Sequence, residues 1–313
     1  MPSTFAFARL AWQRRFMLMT ELLQLPGSYQ GPTRAHTGPF GVLGVGAGAL
    51  PAALLEALTE RHLTREGTQI VLESADAAHL ARDFAGLSEV SGASVLRGGV
   101  QRQGASNRDL DFLAPAGVGA TYHLAQFAAY ASGHADQAQQ AETLLAALAV
   151  KCAPEQGDDN PARELAWTIW QRTPLLLSAP EDSALVQVWQ HLLARVGKVL
   201  SIPIETEPLY ILTGAFEAQH EKGDSKVALI LGDETPELIL AREVLETRID
   251  EIVGVPFPGG SSGYPGTLAL WYFGAWVAAY LAERHGVSDG DSPALREVLK
   301  ELSGEAEESG LEA

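Results

Sequence analysis

Short apolar runs alternate with segments of helical period along nearly the whole chain, and no other feature restricts the fold as much. In the first half GVLGV (Gly41–Val45) precedes the helical ALPAALLEALTERH (Ala49–His62), and TQIVLES (Thr68–Ser74) precedes ADAAHLARDFAGL (Ala75–Leu87). The pattern weakens from Val90 to Ala120, which offers one short candidate strand and much glycine, before a long helical block from Ala120 to about Ala149. The second half alternates again. A helix over Pro161–Gln171 leads to the strand TPLLLS, the helix Glu181–Leu200, the strand KVALILG, the helix Thr235–Arg248 and the strand EIVGVPF, and two helices finish the chain. Parallel strands need crossover connections, and helices supply them, so this order predicts α/β architecture with mainly parallel sheets covered by helices. The polar stretch Lys151–Pro161 reads as a linker. Two domains are expected, residues 1–150 and 151–313.

Charge and composition narrow the function. The chain has 313 residues, with 39 acidic against 22 basic side chains and a formal charge of −17. That balance repels a polyanionic backbone and argues against nucleic acid. A small anion is a different matter, because the field at a helix N-terminus is local. Cys152 is the only cysteine, so neither an intramolecular disulfide nor a cysteine metal cluster is expected, which suits a reducing cytoplasm. Residues Phe7–Leu25 alternate apolar groups with Arg9, Arg14, Arg15 and Glu21 and read as an amphipathic helix, not a secretory signal. Thr267–Ala282 is uncharged for 16 residues, short of the roughly 20 that span a bilayer, and reads as a buried core helix. The acidic end ELSGEAEESGLEA is expected to fray.

The glycine turn Gly44-Val-Gly-Ala-Gly48 lies between a strand and a helix, a place where backbone N–H groups can approach an anion. Three readings stay open. Gly44, Gly46 and Ala49 approximate a dinucleotide-binding turn, with Glu73 as ribose ligand, although Glu73 lies farther along the chain than the spacing of about 20 residues usual there. The turn could instead hold a sugar phosphate, or serve only close packing. The eight histidines include no HExxH or comparable pair, so no metal site is expected, and His123 and His191 are the two that could face a cleft. No G-x-S-x-G elbow is present. Phe257–Pro265, with its glycines and serines, reads as a connection into the following helix.

Four separated stretches together resemble the bifunctional phosphoglucose/phosphomannose isomerases, a family built from two sugar isomerase (SIS) domains. They are Leu25-Pro-Gly-Ser-Tyr-Gln-Gly with FGVLGVGAGAL, Asp159-Asn-Pro-Ala-Arg-Glu-Leu-Ala with TPLLLS, HLLARVGKVL with Lys198, and Ala269–Leu302. The resemblance implies two SIS-like domains, a cytoplasmic homodimer with active sites near the subunit interface, no cofactor, no membrane, and a small phosphosugar as ligand. The implied reaction interconverts aldose and ketose 6-phosphates of glucose, mannose and fructose. Its implied substrate-binding positions are Gly44, Gly46, Gly48, Ser94, Ser106, Asn107 and Lys198. Gly44–Gly48 replaces the family's Gly-Met-Gly-Gly-Ser and lacks its hydroxyl, and Gly117-Val118-Gly119 stands where the family has Pro-Pro-Arg. At the catalytic positions Arg195 falls on the family's glutamate base and Tyr210 on its ring-opening histidine, leaving Glu205, Glu207 or Glu217 as candidate carboxylates. A guanidinium does not abstract protons at neutral pH, so the alternative is a phosphosugar-binding or regulatory protein that has lost the chemistry.

Overall fold

The structure is a computed structural model that describes residues 18–36, 38–59, 61–74, 77–100, 110–205, 207–217 and 225–287. Its first sheet runs β1 (Phe40–Val45), β2 (Thr68–Glu73), β3 (Ser94–Val100) and β4 (Phe112–Ala114), all parallel and in that spatial order. Helices α1 (Ala49–Ala53) and α2 (Ala78–Ser91) make its crossovers, and α3 (Ala120–Ala131) and α4 (Ala135–Cys152) follow it. After α5 (Pro161–Ile169) come β5 (Thr173–Ser178), α6 (Ser183–Arg195), β6 (Ile202–Ile204), α7 (Pro208–Phe216), β7 (Lys226–Leu231), α8 (Pro236–Glu246), β8 (Glu251–Val255) and α9 (Gly263–Arg284). These four strands form a second parallel sheet in the order β6-β5-β7-β8.

Both faces of each sheet are covered, as apolar runs in parallel strands require. Leu175, Leu177, Ala228 and Ile230 point to the face under α7 and α8, where Leu212, Phe216, Leu238 and Leu245 join them. Leu176, Val227, Leu229 and Leu231 point the other way, into a core that also holds Ile70 and Leu72 of the first sheet and most of α9. The uncharged Thr267–Ala282 run lies inside α9, packed against α4, α5 and α6. Among the described residues no helix is long and apolar enough to cross a membrane.

The structure departs from the sequence reading at weak-signal segments. The irregular Val90–Ala120 region contains two strands. β3 is SVLRGGV, and its glycines sit where neighbours press closest: a Cβ on Gly98 would lie 2.8 Å from the Phe127 ring. β6 and α7 occupy a stretch without periodic signal, because a three-residue edge strand containing Pro203 carries almost none. The long helical block breaks at Ser132–His134, where Gly133 adopts φ +88°. The expected linker begins inside α4, which runs to Cys152, and continues as a 3-10 segment, Pro154–Asp159. The helix expected over Ala49–His62 is only α1, followed by turns. Residues 18–24 are helical. The start of that helix, the final helix and acidic tail, and Ser106 and Asn107 lie outside the described residues.

Candidate active site

The C-terminal ends of parallel strands are where ligands meet open α/β sheets, and the glycine turn is there. Gly46–Gly48 forms one 3-10 turn directly after β1. A Cβ on Gly44 would lie 2.2 Å from the Gly48 carbonyl oxygen, and one on Gly48 would lie 2.2 Å from that of Leu72. Any larger residue would therefore push the turn off β2. Gly46 adopts φ +59°, and a Cβ there would strike the Ser74 hydroxyl. Ser74, just past β2, accepts the Ala47 N–H at 3.0 Å. This serine, which the sequence reading passed over, sets its hydroxyl against the turn. Its only signal was its place at the end of TQIVLES.

Glu73 does not point to an open ribose site. Its Oε2 accepts Nε and Nη2 of Arg97 at 3.1 and 2.7 Å, with both side chains largely buried, so a sugar hydroxyl would have to displace a guanidinium. Ser94 opens β3 in register with Thr68 and Phe40, the sheet end opposite the glycine turn. The structure does not bring it to Gly44–Gly48.

In the second half the candidates separate into two groups. Arg195 closes α6, roughly 20 Å of helix away from the C-terminal end of β5. Its Nη1 is 3.2 Å from His191 Nε2, and the Lys198 ammonium donates to the Arg195 carbonyl. Burial, with Arg195 adding to it, lowers the His191 pKa to about 4. Glu205 and Glu207 follow β6, at the C-terminal edge of the sheet. Glu205 accepts Gln187 Nε2 at 3.4 Å, and Glu207 caps α7 in a left-handed conformation, φ +47°, without a side-chain cap bond. Lys198 is left-handed too, φ +59°; such backbone in non-glycine residues is uncommon and costs free energy. Tyr210 is 80% exposed, and Glu217, just beyond α7, is exposed as well. The chain alone therefore does not gather Arg195, Lys198, Glu205, Glu207 and Tyr210 into one pocket. α1, which follows the glycine turn, packs against α6, and this contact joins the two sheets near the site.

Two further features lie near strand ends. Asp182, after β5, has its pKa raised to about 6 by burial and by the charges of Glu181 and Asp233. A groove of about 590 Å³ runs between α4, α5 and the β8 edge over Phe273, lined mainly by apolar groups such as Leu144, Leu148, Leu165 and Val253. It shares no residue with the glycine turn. Among the described residues no group of three or more His, Cys, Asp or Glu is arranged to hold a metal ion.

Two parallel sheets with a glycine turn at a strand end define a double SIS-type α/β protein. The chain belongs to the bacterial phosphoglucose isomerase family. Residues 18–133 match the phosphoglucose isomerase N-terminal domain, and residues 158–302 match the bacterial phospho-glucose isomerase C-terminal SIS domain. A glucose-6-phosphate isomerase-like protein from Thermus thermophilus is 30% identical, with 94% of this chain and 99% of that one covered and a TM-score of 0.74. Two other structures share the fold at low identity. A glucose-6-phosphate isomerase from Chlamydia trachomatis is 11% identical over 97% of this chain and 75% of that one, with a TM-score of 0.55. A glucosamine-6-phosphate deaminase from Thermotoga maritima is 10% identical over 90% and 97%, with a TM-score of 0.56. No curated protein sequence matches the chain.

Proposed function

We propose that the protein isomerises a hexose 6-phosphate, interconverting aldose and ketose forms. The observation that carries this is the glycine turn folded onto the end of β2, with Ser74 beside it. Gly44, Gly46 and Gly48 let the turn pack tightly at the strand ends, where a phosphosugar would meet it, and no cofactor is needed for a proton shift between adjacent carbons. The chain divides functionally at 150/151 into an N-terminal unit that holds the phosphate and a C-terminal unit that closes the site. Arg195 and Lys198 then serve the site only through α6, as positioning groups. Glu205, Glu207 and Tyr210, with the exposed Leu200, Ile202 and Ile211 around them, suit a surface covered by a second copy of the chain. A homodimer in the cytoplasm is the resulting picture. The purified protein, incubated with glucose, mannose and fructose 6-phosphates and followed by NMR, is expected to interconvert them.

Loss of the chemistry is the second reading, favoured by Arg195 at the position of a base. It predicts thermal stabilisation by these sugars without turnover. A protein that shows neither turnover nor stabilisation would overturn both readings.

A further inference from the structure

We propose that the groove between α4, α5 and β8 seats the chain's own C-terminal segment, Pro293–Leu302, and that the seated segment fastens the two halves of the molecule together, independently of the isomerase reading above. The groove has a volume of about 590 Å³, and Leu144, Ala147 and Leu148 of α4, Leu165 of α5, Val253 of β8 and Phe273 of α9 give it an apolar lining. Folded chains rarely leave a contiguous apolar surface bare. β8 ends the strand order β6-β5-β7-β8, so along the groove its outer N–H and C=O groups have no strand partner among the described residues. Sheet edges are normally covered by a helix or a loop.

The end of the described chain lies beside one end of this groove. α9 closes at Arg284, and Val287 is the last described residue. The His285 ring packs on Trp170 at 4.6 Å, and Trp170 stands at the end of α5 just past Thr168, a groove residue. Arg172 donates to the Thr168 carbonyl and to Glu251, which opens β8 at the same end. From Val287 the stretch Ser288–Ser292 reaches roughly 17 Å when extended, enough to round α5, whose diameter is about 10–12 Å. As a helix, Pro293–Leu302 is about 15 Å long. The groove follows β8 from Glu251 to Val255, about 16 Å, so segment and groove match in length.

The sequence of the segment supplies the matching surface. Ser292 and Pro293 suit the N-cap and first position of a helix, and Gly304 suits its end. Leu295, Val298, Leu299 and Leu302 recur at the i, i+3, i+4, i+7 spacing of one apolar stripe. A helix this short is stable only when such a stripe packs on apolar surface. At about 100° per residue, Arg296 and Lys300 fall on one flank of the stripe and Glu297 and Glu301 on the other. The groove answers both signs, with Lys151 on α4 and Glu164 on α5. Tethering to α9 makes the contact intramolecular, which favours this segment over a second copy of the chain. α4 belongs to the first half and α5 and β8 to the second, so a helix seated here closes the β8 edge and bridges the two.

The test is hydrogen exchange, read by mass spectrometry on the full chain, for the wild type, Ala147→Glu and Leu299→Glu. Ala147 is exposed on the groove wall, so Ala147→Glu sets a charge in the seat without entering the core. Leu299→Glu sets one in the middle of the stripe. Amides of residues 297–302 are expected to exchange at least ~10-fold more slowly than unstructured chain in the wild type, and within about twofold of it in both variants. The β8 peptide is expected to exchange faster in both variants. A synthetic peptide of residues 291–304 is expected to restore its protection in Leu299→Glu but not in Ala147→Glu. Circular dichroism checks folding, and Leu299→Glu, which lies outside the described residues, still tests the seat if Ala147→Glu does not fold. A wild-type segment that exchanges like unstructured chain, protection that survives Ala147→Glu, or a β8 peptide unchanged in Leu299→Glu overturns the proposal. So does a sedimentation mass that falls in Ala147→Glu, which would put a second copy in the groove. None of these readouts depends on turnover, so the isomerase reading stands or falls separately.

Discussion

Asn160 caps α5 from a fully buried position. Its Oδ1 accepts the N–H groups of Ala162 and Arg163, and its Nδ2 faces the carbonyls of Cys152 and Ala153 and the Tyr280 hydroxyl. Asn160→Ala leaves the Ala162 and Arg163 N–H groups without their cap, while Tyr280 keeps the Cys152 carbonyl and Gln156 that of Ala153, and is expected to cost about 2 kcal/mol, read as a lower urea midpoint at unchanged m. Two titrating residues act against each other. His191, with a folded pKa of about 4, contributes stability that is present above its ordinary value of about 6.5 and lost on acidification. Asp182, raised to about 6, does the opposite: its cost is full above pH 6 and relieved as the carboxyl protonates. Between pH 4 and 6 the two slopes offset each other. Asp182→Asn should therefore add about 1–2 kcal/mol at pH 7 and steepen the loss of Tm toward pH 4. His191→Gln should make the protein gain stability over the same interval. Parallel Tm–pH curves for the wild type and both variants would contradict this.

At the level of elements, the glycine turn is held by contacts that leave no space. Gly48→Ala places a Cβ against the Leu72 carbonyl and is expected to cost roughly 2–3 kcal/mol, while weakening the thermal shift given by fructose 6-phosphate. Gly214→Ala is the control. Nothing lies within 4 Å of its Cβ position inside α7, and the change should stabilise by roughly 0.5–1 kcal/mol. What the sequence revealed follows the same physics. β1, β2, β5, β7 and β8 were legible because buried parallel strands are continuous apolar runs. β6 was not, and Val90–Ala120 offered one candidate where two strands form, since glycines and a proline erase the apolar signal and only long-range pairing makes them strands. Of the site, the turn was visible in its glycines. Ser74 was not, because its place beside the turn depends on which strand ends meet. Its bond with the Ala47 N–H joins residues 27 apart in the chain, and no local pattern encodes that.

For the whole molecule, the exposed Leu200, Ile202, Tyr210 and Ile211 place an apolar surface at the β6 edge of the second sheet. Sedimentation is expected to give twice the chain mass, and Tyr210→Asp with Ile202→Lys to give the monomer; an unchanged mass would move the interface elsewhere. α9 binds the molecule together in another sense. It shares one core with both sheets, and its Tyr272 donates to the Leu22 carbonyl, 250 residues away, while Tyr264 donates to Gln126. A helix translated after both sheets thus completes the half translated first. A nascent chain halted before Gly263 would leave its early strands open to protease, and the first sheet must wait for α9, at the slow pace of distant contacts.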